Sequence, residues 1–199
     1  YNGEDPSNTT GQNATEEPLV SGTNYDSATG LYTETTGAKY IWKYMYTIPT
    51  DDVLKFLSSD FMPIVLPANA SRTSVTGAAV AGACDVALIE NAGSGLPASQ
   101  TLYTSIKGDG TGGKVKFVTN GAGTITSAEI EARGSGYTYG NVLFANGNLF
   151  SNAGLSSAVT TGASAVGAIE IVMAPEGGHG FDHETELNGK RVMTNIRLT

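Results

Sequence analysis

The sequence has 199 residues, enough for one generous domain or two small ones. Lys and Arg number 11 against 19 Asp and Glu, and a net charge of −8 excludes the basic stripe that a phosphate-backbone binder needs. Charged residues are only 15% and glycines number 26, so the polarity is neutral, the chain turn-rich and the core thin. The one cysteine, Cys84, excludes an internal disulfide framework and a Cys-based zinc finger, and its Ala/Val/Gly surroundings mark it as a buried small apolar side chain. The longest strongly apolar stretch, residues 61–68, is broken by Pro63 and Pro67 and cannot span a bilayer. Neither nucleic acid nor a membrane is therefore expected as a partner. There is no secretory signal, and Tyr1 in place of an initiator Met reads as a fragment or a processed product.

Residues 1–38 carry Glu4, Asp5, Glu16, Glu17, Asp26 and Glu34 without any Lys or Arg, and read as an acidic arm or loop region anchored by Tyr25, Leu31 and Tyr32. The character changes at residue 39. Strand periodicity over residues 39–48 puts Tyr40, Trp42, Tyr44 and Tyr46 on one face and Ile41, Lys43 and Met45 on the other. Such an aromatic ladder is half core and half interface, because rings supply large contact area at low entropic cost. A short helix follows, with Thr50 as N-cap, Asp51 and Asp52 at the positive end of its dipole and Ser58-Ser59 closing it. Residues 61–67 read as a buried, proline-bounded strand.

Residues 68–168 are low in charge and show no helical periodicity. They contain a repeat 41 positions apart: Ile89-Glu90-Asn91-Ala92-Gly93-Ser94-Gly95 recurs as Ile130-Glu131-Ala132-Arg133-Gly134-Ser135-Gly136, each a strand running into a Gly-Ser-Gly turn. Residues 114–118 form another strand, which the turn Asn120-Gly121-Ala122-Gly123 joins to a partner at residues 124–130. Beyond the glycine-rich stretch come a strand at residues 169–173, a tight loop at 174–181 and a final strand at 191–198. The fold class is thus mostly β. A β-sandwich-like main domain is expected from residues 39–66 plus 169–199, with an inserted glycine-rich β-domain at 67–168 and one or two short helices.

The only dense polar cluster lies in residues 177–186, where His179 and His183 are interleaved with Asp182, Glu184 and Glu186. His179, His183 and Glu186 could serve a metal-dependent hydrolase, but the flanking glycines oppose a settled helix through His179. The favoured reading is a glycine-shaped turn with His179 bonded to backbone and a short acidic helix capped by Asp182. Asp85 beside Cys84 is expected to raise the thiol pKa rather than activate it. No Gly-x-Ser-x-Gly elbow occurs, and the glycine run at residues 108–113 lacks the Gly-Lys-Ser/Thr end of a phosphate loop. No catalytic, cofactor-binding or metal residue is assigned, no cofactor is expected, and the chain does not read as an enzyme.

Two segments together resemble a known family. Tyr40-Ile41-Trp42-Lys43-Tyr44-Met45-Tyr46 with Ile48-Pro49, and Ala174-Pro175-Glu176-Gly177-Gly178-His179-Gly180 with Glu186-Leu187-Asn188-Gly189, are similar to the baseplate wedge subunit of T-even-like contractile-tailed phages, notably the cyanophage type. The two motifs cover about 30 residues directly, and their order extends the likeness loosely over residues 39–199. The resemblance implies a non-enzymatic virion protein made in the bacterial host cytoplasm. It also implies an elongated, mostly β homodimer that grips neighbouring baseplate wedge proteins. Tyr40, Trp42, Tyr44, Tyr46, His179 and Gly180 are then structural or interface residues. The alternative expectation is a carbohydrate- or cell-surface-binding β-module, such as a phage adhesin, in which those aromatic rings stack on sugars.

Overall fold

The computed structural model describes residues 16–35, 40–145, 147–161 and 165–196. Among the described residues ten strands form three sheets, with three short helices beside them. A small sheet of order β1-β2-β3 holds β1 (Tyr25–Asp26), β2 (Leu31–Thr33) and β3 (Ile41–Lys43). A four-stranded sheet runs β4 (Cys84–Ser94), β10 (Val166–Met173), β9 (Gly140–Asn141) and β6 (Lys107–Gly108). A third has the order β5 (Thr101–Ser105), β7 (Lys114–Thr119) and β8 (Ile125–Ala132). Every pairing given a register is antiparallel.

The two larger sheets share one apolar core. Alternation along β7 sends Val115 and Phe117 inward, where they meet Leu102 of β5, Ile125 of β8, Cys84 and Ala87 of β4, and Ile169 and Ile171 of β10. Phe144 closes the core with its ring edge-on to Phe117, the centroids 5.5 Å apart. Only Ile106 separates β5 from β6, so one continuous run of chain passes from the third sheet into the four-stranded one and closes that side. On the opposite side β4 and β8 run antiparallel alongside each other without a ladder. Cys84 N–H bonds the Arg133 carbonyl at 2.9 Å at one end, and Leu96 N–H bonds the Gly123 carbonyl at 3.3 Å at the other. The arrangement is mostly β and sandwich-like, with three helices where one or two were expected.

The repeat has a structural meaning. Gly93, Gly95, Gly134 and Gly136 all take positive φ, so each Gly-Ser-Gly ends its strand with two residues in the left-handed region. Tyr137, which follows the second copy, is 4% exposed. Its hydroxyl accepts from Gly113 N–H at 3.1 Å and donates to the Ile106 carbonyl at 3.3 Å, fastening the glycine run to the core. That run is therefore a bed for a tyrosine ring: a Cβ on Gly113 would lie 3.0 Å from the Tyr137 hydroxyl.

Several elements differ from the sequence reading. The aromatic segment is a strand only over Ile41–Lys43, and Lys39 lies outside the described residues. The first helix, α1 (Thr50–Phe56), begins at Thr50 with Pro49 in the cap position and no side-chain cap. The α2 helix (Ala70–Gly77) falls in the stretch that showed no helical periodicity. Its signal is Asn69, whose side chain accepts from Ser71 N–H at 3.0 Å and Arg72 N–H at 3.4 Å. It buries only Arg72 and Val75, too few apolar positions to make a stripe. Residues 61–67 join no sheet; Pro63 and Val65 are buried, while Phe61, Met62 and Leu66 are exposed. Residues 191–196 form no strand and are exposed throughout, and residues 197–199 lie outside the described residues.

The expected acidic arm is partly a folded element. Tyr25 and Leu31 pair into β1 and β2, Tyr32 is 7% exposed, and Glu34 is 1% exposed; residues 1–15 lie outside the described residues. The expected boundary at residues 168 and 169 runs through β10, whose residues pair along β4.

Candidate functional site

Two constructions stand out: an aromatic face built by β2, β3 and the chain after them, and a polar clasp that holds the histidine loop. The aromatic face is organised by Glu34. Its two carboxylate oxygens accept from Trp42 Nε1–H and Tyr40 N–H, each at 3.2 Å, beside the paired strands β2 and β3. The Tyr40 and Trp42 rings lie 5.9 Å apart, tilted by 50°. Tyr46 donates its hydroxyl to the Pro63 carbonyl at 3.1 Å, and Tyr44 shares a 2.6 Å bond with Thr47 Oγ1. Tyr25, Tyr32, Trp42, Tyr44 and Tyr46, with Met62, line a pocket of about 310 Å³. Lys43 enters the same pocket, half-buried, its ammonium donating to the Thr29 carbonyl. Burial, followed by the charge of Arg133, holds the Lys43 pKa below its usual value.

Glu34 was invisible as an organiser because in sequence it is one more acid in an acidic stretch. Glu34→Ala should remove both bonds and cost about 1–3 kcal/mol of stability. Trp42 is the chain's one tryptophan, so its emission should shift to the red in that variant. An unshifted spectrum would show that the ring is held by other contacts.

Several apolar side chains of the segments that follow are exposed. Leu54 is 80% exposed, Leu66 77% and Met62 57%, and α1 buries none of its residues. Phe61, also exposed, carries the Arg191 guanidinium 5.5 Å above its ring.

The clasp is made in the second motif. Gly177, Gly178 and Gly180 take positive φ, and the loop they shape turns His179 inward. His179 Nε2 faces Asp85 Oδ2 and Nδ1 faces Glu186 Oε2, both at 2.9 Å. The partners are thus two carboxylates, not the backbone that the sequence suggested. Burial pulls the His179 pKa below the ordinary histidine value, opposed by the bond to Glu186. A ring with a single N–H fills one of the two contacts, and the imidazolium fills both. Each carboxylate has a second donor: Arg133 on Asp85, and Gly180 N–H on Glu186 Oε1 at 2.7 Å. The clasp therefore joins β4, the end of β8, the glycine loop and α3 (His183–Glu186). Gly180 is required twice, for its φ of +82° and because a Cβ there would meet Val75 Cγ1.

The expected Asp182 cap is present, with its carboxylate accepting from Thr185 N–H at 3.1 Å. His183 does not join His179 and Glu186. It is fully buried, its Nε2 donates to the Met45 carbonyl at 3.1 Å, and its ring lies 5.7 Å from that of Tyr46. This contact links the two sequence motifs in space. Among the described residues no three His, Cys, Asp or Glu side chains are grouped to hold a metal ion.

Cys84 is fully buried, and its thiol pKa is pushed up to about 11. Burial is the cause, with Arg133 opposing it; Asp85, the sequence candidate for that effect, turns instead to His179 and Arg133.

Among the described residues no helix is long and apolar enough to cross a membrane. Comparison of the chain with protein-family models, with curated proteins and with solved structures returns no match.

Proposed function

We propose that this protein is a non-enzymatic structural subunit that acts through protein–protein assembly. Its proposed place is the virion, as a baseplate wedge component of a contractile phage tail, forming a homodimer that contacts neighbouring wedge proteins. The observation that carries the assembly reading is the number of exposed apolar side chains here: Met62, which lines the aromatic pocket, Phe61, Leu66 and Leu54, the last on α1, a helix with no buried residue. A helix this short gains its stability from packing an apolar side against something, and α1 leaves Leu54 in solvent. The rings beside it are rigid and amphipathic, the side-chain type enriched in the centres of interfaces. The phage assignment is supported by the two sequence motifs and their order.

Light scattering on the full chain across a tenfold range of concentration tests the assembly reading. The expected mass is about 41 kDa, twice the chain's 20.5 kDa. A mass that stays at the single-chain value across the range would count against a homodimer and bring the sugar-binding alternative forward.

A further inference from the structure

Five rings, those of Tyr25, Tyr32, Trp42, Tyr44 and Tyr46, line the aromatic pocket of about 310 Å³, a size that suits a small molecule. The protein already takes up the polar edges of four of them. Trp42 Nε1–H donates to Glu34 at 3.2 Å, Tyr32 to Glu16 at 2.8 Å and Tyr46 to the Pro63 carbonyl at 3.1 Å, while the Tyr44 hydroxyl is bonded to Thr47. A ligand therefore meets ring surface rather than hydrogen-bonding groups. Leu19, Val20 and Met62, which also line the pocket, are exposed, so it is open to solvent.

Two of the rings are electron-rich. The acceptors on Tyr32 and Trp42 are carboxylates, which draw the O–H and N–H protons outward and push electron density into the rings. That strengthens the attraction of an aromatic face for a cation. Glu34 is 1% exposed, so water screens its charge little. Lys43 is the one basic side chain in the lining, and its ammonium is directed away from the rings. Alternation along β3 sets Ile41 and Lys43 opposite Trp42. The ammonium donates to the Thr29 carbonyl. Ile41 and Thr29 line a second crevice with Asp26 and Arg133, and none of these four lines the aromatic pocket.

We propose that the aromatic pocket binds a small quaternary ammonium ligand of the choline type. Its methyl groups cover the ring faces, and its charge is held by the electron-rich rings of Tyr32 and Trp42. A quaternary nitrogen carries no N–H, so none is left unpaired where the ring edges are occupied. A primary ammonium or a sugar would lose the hydrogen bonds that it makes in water. The net charge of −8, with no Lys or Arg in residues 1–38, favours the approach of a cation. The inference stands on the pocket and is independent of the assembly reading.

The test titrates choline chloride into the full chain at constant ionic strength and follows the indole N–H resonance of Trp42, the chain's one tryptophan, by NMR. A saturable shift is expected. The neutral isostere of choline, with carbon in place of the nitrogen, should bind about tenfold more weakly. Tyr44→Leu should weaken choline binding about fivefold, whereas Tyr44→Phe, which keeps the ring face, should bind as the wild type does. No saturable shift, equal affinity for choline and its isostere, or equal loss in the two Tyr44 variants overturns the proposal. A shift with glucose and none with choline overturns it in favour of the sugar-binding alternative. Phosphatidylcholine vesicles test the source of the group: after sedimentation the chain is expected in the supernatant, and co-sedimentation that choline reverses would assign the site to a lipid headgroup instead. A dimeric mass by light scattering without choline binding removes this site and leaves the assembly reading intact.

Discussion

Arg133→Ala should cost about 3–5 kcal/mol of folding stability in urea denaturation. The Asp85 side chain is 1% exposed and that of Arg133 18%, so the guanidinium neutralises a carboxylate that water scarcely reaches. Removing it leaves Asp85 charged in the interior with His179 as its remaining ring contact, and burial already disfavours the charged form of that histidine. The effect should spread, because Asp85 is the point where β4, the end of β8 and the histidine loop meet. Adding Asp85→Asn to Arg133→Ala should recover part of the loss, since the buried charge is then gone while the volume is kept. If the single variant loses less than about 1 kcal/mol, the value of an exposed ion pair, the clasp is solvated and Asp85 is not its centre.

Gly178→Ala should destabilise by about 2–5 kcal/mol. Its φ is +92°, a conformation that costs an L-residue about 1–2 kcal/mol. A Cβ there would also lie 2.5 Å from the backbone nitrogen and oxygen of Val80, which follow α2 and have no room to yield, adding about 1–3 kcal/mol of overpacking. Gly22→Ala is the matched control. It shares the φ of +92° but has no heavy atom within 4 Å of the added Cβ, so it should show the backbone cost alone, about 1 kcal/mol. Equal losses for the two variants would show that the close approach to Val80 contributes nothing and that the loop can move off α2.

The physical basis of the two predictions also separates what was legible in the chain from what was not. Period-two alternation in Lys114-Val115-Lys116-Phe117-Val118, the Asn120-Gly121-Ala122-Gly123 turn and the apolar run Ile169-Glu170-Ile171-Val172-Met173 are local signals, and each became a strand or hairpin where expected. So did the Asp182 cap, whose acceptor and donor are three residues apart. Local pattern failed where a segment's conformation depends on distant partners. Residues 61–67 look like a strand because they are apolar, yet they join no sheet: the Val65 carbonyl is taken by the Arg72 guanidinium of α2 at 2.7 Å and the Pro63 carbonyl by the Tyr46 hydroxyl at 3.1 Å. Residues 191–196 alternate, but no described strand lies beside them.

The candidate site divides in the same way. The aromatic face was half legible: alternation singled out Tyr40 to Tyr46, but only Ile41–Lys43 is strand, Lys43 and Met45 line the same pocket as Trp42, Tyr44 and Tyr46, and Tyr40 does not line it. Glu34 was not legible, because a carboxylate that holds a tryptophan has the same one-letter signature as one in solvent. The clasp was half visible: Glu186 lies seven residues after His179, within reach of a single turn and a short helix, and both belonged to the motif already singled out. Asp85 and Arg133 lie in other strands, and only the packing of the end of β8 against the start of β4 brings them to His179. The sequence by itself determined the mostly β character, the positions of the glycine turns and the burial of Cys84, since each follows from steric and solvation preferences of residues close together in the chain. The tertiary structure alone decided the partners of His179 and His183, the burial of Glu34 and the placing of β8 beside β4. Those depend on which strands become neighbours, a choice made by the summed apolar burial of the whole core rather than by any one segment.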